Sequence, residues 1–484
     1  HGDGIVRSGF LKEYYGEAIY EGFQKVKALF DPEYLLNPGK IVDPPPIDSH
    51  LRYGTSYHDL PFPAVYHYRE QRDFFTAIHQ CSGLGACRKI TGGTMCPSFM
   101  VTRDEADSTR GRANVLRLAM SGQLKDGLAN HDIPKVLDLC LSCKACKAEC
   151  PSSVDMARLK SEVMQHQYDR YGATLLDKSV GKSPDMARWF SGRQAAIINF
   201  IQAMPVVKQM MMKLMGLDIR RNLPRYSLSK WTQIQKRLTQ KQVNTLPDII
   251  LLVDTYTQCH QPETGVAAAN LLMHLGKKVM LLDAGCCQRP RISHGFLRDA
   301  AARVQPGLKK LIPWLEKKIP VAVLEPSCAS AWTDDIPDLI TDDHQAVLLK
   351  QVRTFEQVLA DVLKEKPDQK ARLAPKSNQI RVHGHCHQKS IYGMEPVRSI
   401  FAHWPEVDFA EIDSGCCGMA GSFGYEAKHY AISKKMAERA LIPAIEDAPD
   451  AMIIANGFSC QHQIQDFAHR KAVHIAEAFE LLKS

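Results

Sequence analysis

Helical spacing and strand-like runs occupy different parts of the chain. Arg110 to Ser121 carries apolar Val115, Leu116, Leu118 and Ala119, with Arg112 and Arg117 on other faces, which predicts an amphipathic helix. AAIINFIQAMPVVKQMMMKLMG carries helical spacing interrupted by Pro205, with turn signals after it at Gly216 and Pro224. From Asp248 the texture changes to short β-rich runs, DIILLVDT, KKVMLLDA, VAVLEP, QIRVHG, FAEIDS and AMIIANG, alternating with helical stretches. That alternation predicts βα units and mainly parallel sheets. Near the start, a helical pattern and an Asn37-Pro38-Gly39 turn run into Asp43-Pro44-Pro45-Pro46. No regular element continues through three prolines, so a small N-terminal piece ends there.

The β-rich half repeats itself. Cys259, Cys286-Cys287 and Cys328 are answered by Cys386, Cys416-Cys417 and Cys460, at offsets of 127, 130 and 132 residues. Duplication of one α/β unit is the natural explanation. All six positions follow predicted strands, and in open parallel sheets the carboxyl ends of strands form the ligand crevice. The expected class is therefore mixed α/β and α, with boundaries at 1–46, 47–178, 179–247 and 248–484. A length of 484 residues fits about three domains at about 150 residues each.

Fifteen cysteines, nearly all in compact groups, read as metal ligands rather than disulfides in a reducing compartment. Cys140, Cys143, Cys146 and Cys150-Pro151 have the C-x2-C-x2-C-x3-C-P spacing of bacterial-type ferredoxins, which predicts at least one [4Fe-4S] cluster. Upstream stand Cys81, Cys87 and Cys96-Pro97, with Leu84 at the middle thiolate position of that pattern. Under crossed ligation, Cys140, Cys143, Cys146 and Cys96 hold one complete cluster, and Cys81, Cys87 and Cys150 hold a second that is one thiolate short. That second site takes a [3Fe-4S] cluster, a [4Fe-4S] cluster with a non-cysteine ligand such as His79, or no cluster. The eight cysteines of the duplicated region hold a further cluster or zinc, within each repeat or shared between them. His260, His383, His385, His387 and His462 lie beside them as ligands or as donors to the sulfurs.

These residues bring a family into view. Gly415-Cys416-Cys417-Gly418 and Gly285-Cys286-Cys287-Gln288 resemble the CCG domain of heterodisulfide reductase catalytic subunits and of the iron-sulfur subunits of glycolate oxidase and anaerobic glycerol-3-phosphate dehydrogenase. Gln288 departs from the motif glycine, and Ala331 and Gln463 stand where the second thiolate of the final CxxC falls. His1-Gly2, the helix around Gly16 to Phe30, and Asn37-Pro38-Gly39-Lys40-Ile41 resemble the end of FAD-linked oxidases of the vanillyl-alcohol oxidase type. Together with GGTMCPS and STRGRA, the module order is similar to that of single-chain bacterial D-2-hydroxyglutarate dehydrogenases.

The resemblance implies a fold of three parts: an FAD-oxidase C-terminal helix tail, a helical bacterial-ferredoxin-type module and a duplicated α/β CCG domain. It also implies the C-terminal part of a longer enzyme, with FAD bound by an upstream domain. A 2-hydroxy acid is oxidised to a 2-oxo acid, and electrons pass through the clusters to quinone or another acceptor. His1 is the implied general base near the flavin, and Asn37 and Lys40 belong to the loop closing over it. D-2-hydroxyglutarate is the expected substrate, with D-lactate and glycolate open. The alternative is a stand-alone iron-sulfur subunit of the glycolate oxidase, glycerol-3-phosphate dehydrogenase or heterodisulfide reductase type. A zinc-stabilised scaffold without redox chemistry is a third reading.

Charge adds one feature. Between Lys178 and Lys241 stand 13 Lys or Arg against Asp185 and Asp218 alone, although the whole chain carries only +8. With Met210, Met211, Met212, Leu214 and Met215 beside Lys208, Lys213, Arg220 and Arg221, the segment reads as an amphipathic element on an anionic membrane or as a linker whose apolar stripe packs on the protein. No nucleic-acid motif accompanies it. No uninterrupted apolar run reaches about 18 residues, and the N-terminus has no signal-peptide pattern. The expected location is the cytoplasm, peripheral to the inner membrane, as a homo-oligomer.

Overall fold

Short helices at the start of the chain break where glycine permits. Gly4–Ser8 and Leu11–Tyr15 precede Gly16, whose φ of 83° admits the turn into α1, Glu17–Phe30. Asp31 ends α1 and accepts the backbone N–H groups of Leu35 and Leu36, each at 2.9 Å, which pins the following turn. The turn passes through Asn37 and Gly39, both at positive φ. Ser8 Oγ accepts from Ile41 N at 2.8 Å and Tyr20 Oη from Asp43 N at 3.1 Å, folding the loop back on the helices. In this computed structural model the described residues are 2–239, 246–365 and 371–482, apart from 50, 52, 53, 55 and 56; they form two compact units, 1–61 and 62–484. His1 lies outside the described residues.

The second unit begins with a helical region. Ser108 caps α2, Thr109–Met120, by accepting from Gly111 N at 2.9 Å. A Cβ at Gly111 would stand 2.1 Å from the Glu105 carbonyl oxygen, so only glycine fits there. The predicted apolar stripe is buried at Leu116 and Ala119, but Arg112 is buried completely as well. Asp155 caps α3, Met156–Tyr171, by accepting from Arg158 N at 3.1 Å. The basic segment supplies α4, Ala195–Ala203, and α5, Pro205–Leu214, with an 87° bend at Pro205. Among the described residues no single helix is long and apolar enough to cross a membrane.

Among the described residues the strands that follow are β1 Ile249–Leu252, β2 Val279–Leu282, β3 Val321–Val323, β4 Val352–Thr354, β5 Leu373–Pro375, β6 Gln379–His383, β7 Asp408–Glu411, β8 Met452–Ala455, β9 Ala472–Val473 and β10 Phe479–Leu481. The order β2-β1-β3-β4 in one parallel sheet is repeated as β7-β6-β8-β9 in the other, so the cysteine repeat is a repeat of topology. The antiparallel pair β10-β5 and the short β4 and β9 fall outside the six β-rich runs. One buried cluster, including Leu251, Leu281, Leu324, Phe355, Ile380, Val382, Phe401 and Ile454, runs through both sheets.

A buried ionic knot joins the helical region to the first repeat. Lys144 Nζ reaches Asp155 at 3.1 Å and Asp335 at 2.6 Å, and also pairs with Asp334. Arg158 pairs with Asp338 and, at 3.3 Å, with Asp334. Burial works against the charges, yet Lys144 and Arg158 are held above their ordinary values by these aspartates, and Asp334 well below its own by the cations around it. Removing one partner leaves an uncompensated buried charge, at a cost of about 3–5 kcal/mol. Arg158→Met is therefore expected to lower unfolding free energy by about that amount in denaturant titrations; a loss below about 1 kcal/mol, typical of an exposed pair, would show the knot to be solvated.

Candidate metal centre

Local backbone geometry gathers the ferredoxin-like thiols. Ser142 and Lys144 both take positive φ, 53° and 59°, so the chain curls tightly between Cys140 and the short helix Ala145–Glu149. Cys140, Cys143 and Cys146 line a cavity together with Cys96, which enters from the start of helix Pro97–Thr102. The empty space there is about 320 Å³, mouth included. A second cavity is lined by Cys81, Cys87 and Cys150, with Leu84, 71% exposed, at its rim. These are the two sets that crossed ligation requires. Thr109, at the start of α2, lines both cavities, so the two sites are neighbours.

The four-thiol set fits a cubane cluster in number and chemistry, and the three-thiol set is one donor short of it. Burial pushes the Cys143 and Cys146 thiols well above their usual range, so insertion of a cluster there displaces protons. Around the sulfurs the protein supplies donors and charge. Arg110 N–H donates to Cys87 Sγ at 3.3 Å, and Arg112 Nη1–H donates to Cys96 Sγ at 3.5 Å. Arg112 is also held by Val136 O at 3.1 Å and Ser98 Oγ at 3.0 Å, so a fixed positive charge stands beside the four-thiol site. Such donors and charges tune cluster potentials. The sequence offered no sign of this role, because helical spacing alone set Arg112 on a polar face.

The second repeat brings its four thiols together. Cys416 is pushed up to about 12, first by its hydrogen bond with Cys386, and Cys460 is raised, first by its hydrogen bond with Cys417. Gly418 N–H donates to Cys416 Sγ at 3.4 Å from a φ of 90°. Burial raises Cys143, and Cys416 adds to that rise, which sets the second repeat beside the four-thiol site. A Cβ on Gly415, itself at φ 62°, would stand 3.0 Å from Gly93 O, so glycine permits this close approach of the two loops.

The first repeat is arranged differently. Cys287 and Cys328 have their sulfurs 2.9 Å apart, and Cys286 accepts from Gln288 N–H at 3.3 Å. Gln288 takes φ 62°, the conformation its glycine counterpart Gly418 takes freely, so the departure from the motif preserves the backbone. Cys259 ends helix Thr255–Cys259 with Ser191 Oγ at 3.8 Å; burial pushes it up to about 11, with Arg188 lowering it and Asp254 and Asp283 raising it.

Of the five histidines, His383 is the one that groups with two thiols: its ligating nitrogen and the sulfurs of Cys417 and Cys460 lie within 4.8 Å of one another, and the His385 ring comes near Cys460 at Gly457. His260 bonds Arg225 O at 2.8 Å and His462 the Tyr425 hydroxyl at 3.3 Å. His387 bridges Ser330 Oγ and Ser142 O, while His385 accepts from His387 N at 3.1 Å. In the first unit Lys40 Nζ donates to Asn37 Oδ1 at 3.4 Å across an exposed turn.

Three family profiles match in chain order: the C-terminal domain of FAD linked oxidases at residues 1–41, a 4Fe-4S dicluster domain at 79–155 and a cysteine-rich domain at 380–465. D-2-hydroxyglutarate dehydrogenase of Pseudomonas putida is 26% identical over 99% of this chain and 50% of its own length, and that of Escherichia coli 24% over 100% and 51%. The chain is similar to D-2-hydroxyglutarate dehydrogenases from end to end. It spans about half the length of these curated relatives. The glycolate oxidase iron-sulfur subunit of Escherichia coli is 22% identical over 85% of this chain and 97% of its own.

Leu84 decides the cluster at the three-thiol site. Leu84→Cys completes a fourth ligand at the rim, so an oxidised-state EPR signal of a three-iron cluster in the unaltered chain is expected to vanish as iron per chain rises. An unchanged signal would mean that the Leu84 position does not face the cluster.

Proposed function

We propose that the chain is the electron-relay part of an FAD-dependent 2-hydroxyacid dehydrogenase, with D-2-hydroxyglutarate as the substrate and a quinone as the acceptor. The observation that supports it is the series of adjoining donor sets. Cys81, Cys87 and Cys150 share Thr109 with the four-thiol site, and Cys143 of that site neighbours Cys416 of the second repeat. When bound, FAD accepts two electrons from a hydroxy acid and iron-sulfur clusters carry them singly. The residues of this chain hold and tune those carriers: Arg110 and Arg112 donate to the sulfurs, and buried α2 and α3 keep water from their inner sides. The flavin-oxidase match at 1–41 favours this reading over a stand-alone iron-sulfur subunit.

Iron, acid-labile sulfide and zinc per chain after anaerobic purification test the relay. Equal iron and sulfide beyond one cubane support it, and zinc without sulfide overturns it. With the flavin domain present, D-2-hydroxyglutarate is expected to bleach the clusters faster than D-lactate or glycolate; the reverse order would reassign the substrate.

The acceptor reading draws on α4 and α5. Phe200, Val206 and Leu214 are 68%, 78% and 77% exposed, and Ile197 and Met210 join them. Lys208 and Lys213 lie on the same pair, in the strongly basic segment. Apolar side chains beside lysines complement an anionic lipid surface, where a quinone is met. Vesicles containing phosphatidylglycerol are expected to sediment with the protein and phosphatidylcholine vesicles to leave it in solution, with Phe200→Asp plus Val206→Asp abolishing the difference. No binding to either vesicle, or loss of a dimer in the double variant, would assign the surface to protein contact.

A further inference from the structure

The second repeat holds more donors than its cysteines. β6 ends at His383, which pairs in register with Ala455 at the end of β8, just before the helix carrying Cys460. The neighbouring β7 leads through Ser414 to Cys416 and Cys417. The imidazole is thus delivered to the mouth of the crevice by the same strand ends that deliver the thiols.

Its orientation is fixed. His383 Nδ1 lies 2.6 Å from Ser414 Oγ, and the Ser414 hydroxyl donates to Ile412 O at 3.4 Å. In the tautomer that places the ring proton on Nδ1, donated to Ser414, Nε2 keeps its lone pair for a ligand. That Nε2 is buried and faces thiols, grouped with the sulfurs of Cys417 and Cys460 and hydrogen-bonded with Cys417. A metal that displaces the thiol proton takes up the same lone pair.

The position that the cysteine-rich motif fills with a further thiolate is closed. Gln463 stands there, and its amide is turned away to Cys417 O at 2.8 Å and to Ser433 O and Oγ at 3.1 Å. The first repeat has neither solution. Its residue at the 127-residue offset from His383 is Tyr256, stacked on Phe458 at 4.9 Å, and Ala331 matches Gln463. Cys259 is hydrogen-bonded by Ser191 Oγ at 3.8 Å.

We infer that His383 Nε2 joins Cys417 and Cys460 as a direct ligand of a metal centre in the second repeat, and that the first repeat holds no matching centre. The inference rests on the reading of the second repeat as a metal site. Ser414 is the positioning residue that sets the ring.

The test uses the anaerobically purified chain with His383→Cys and His383→Ala, read by metal content and by pulsed EPR for a strongly coupled nitrogen. The unaltered protein is expected to show that nitrogen. His383→Cys loses it and keeps the metal, and His383→Ala loses both. If the centre carries zinc, the fine structure at the zinc absorption edge reports the same nitrogen. Persistence of the coupling in His383→Cys, or unchanged metal and spectra in His383→Ala, overturns the ligand assignment alone. Unchanged metal content in Cys417→Ser plus Cys460→Ser would remove the second-repeat centre itself, and an equal metal loss in Cys287→Ser plus Cys328→Ser would overturn the asymmetry.

Discussion

The relative placement of the thiol groups depends on charges buried where water cannot screen them. Lys144 sits one residue from Cys143, and its ammonium is surrounded by Asp155, Asp334 and Asp335. Arg289, from the segment following Cys287, reaches Asp335 at 2.6 Å, and Lys147 reaches Asp334 at 2.5 Å. One knot thereby ties the ferredoxin-like loop to the first repeat. Lys144, Lys147, Arg158 and Arg289 meet Asp155, Asp334, Asp335 and Asp338, and Arg69 joins Asp338 from the rim at 3.6 Å, so each buried charge faces one of opposite sign. An apolar substitute of the same volume could be as stable. What ionic pairing adds is register, because each carboxylate accepts from a named donor and a shift of one residue would strand a charge.

That fixed register explains a division of labour between two repeats of one topology. The first repeat spends its polar residues on docking: Asp334, Asp335 and Asp338 follow closely on Cys328, and Arg289 follows Cys287. The second spends its own on the thiols, with Ser414 orienting His383 and the Gly415 loop pressed against Gly93. The cysteine-rich profile matches residues 380–465 and leaves the first repeat outside its span. Divergence after duplication has kept the backbone of the motif in both, as Gln288 and Gly418 at positive φ show, while the surroundings have separated.

The sequence made local geometry legible and left long-range geometry hidden. Spacings of three between Cys140, Cys143 and Cys146 force a tight curl wherever the segment folds, so the grouping of these thiols and the gap at Leu84 could be read directly. Duplication was legible because cysteine offsets track strand order. The burial of Arg112 was not, since helical spacing marks a polar face and cannot say that Cys96 and Ser98 cover it. Neither was the ionic knot, whose partners lie 190 residues apart, nor the hydrogen bond of Ser191 to Cys259. Short strands such as β4 and β9 carry too few residues to show a period.

The basic helix pair shows how a surface element can belong to the site it flanks. Most of the apolar side chains of α4 and α5 face outward, but Met212 is fully buried, in the same apolar cluster as Leu217, Met419, Cys417 and Cys460. Leu217 then pairs with Glu426 across an isolated antiparallel bridge, and Arg221 donates to Gly424 O and Ser433 Oγ inside the second repeat. The pair is therefore anchored beneath its exposed face to the scaffold that carries the second-repeat thiols. On the proposed reading, an acceptor that meets Phe200 or Val206 meets an element packed, through Met212, on the scaffold that carries Cys417 and Cys460.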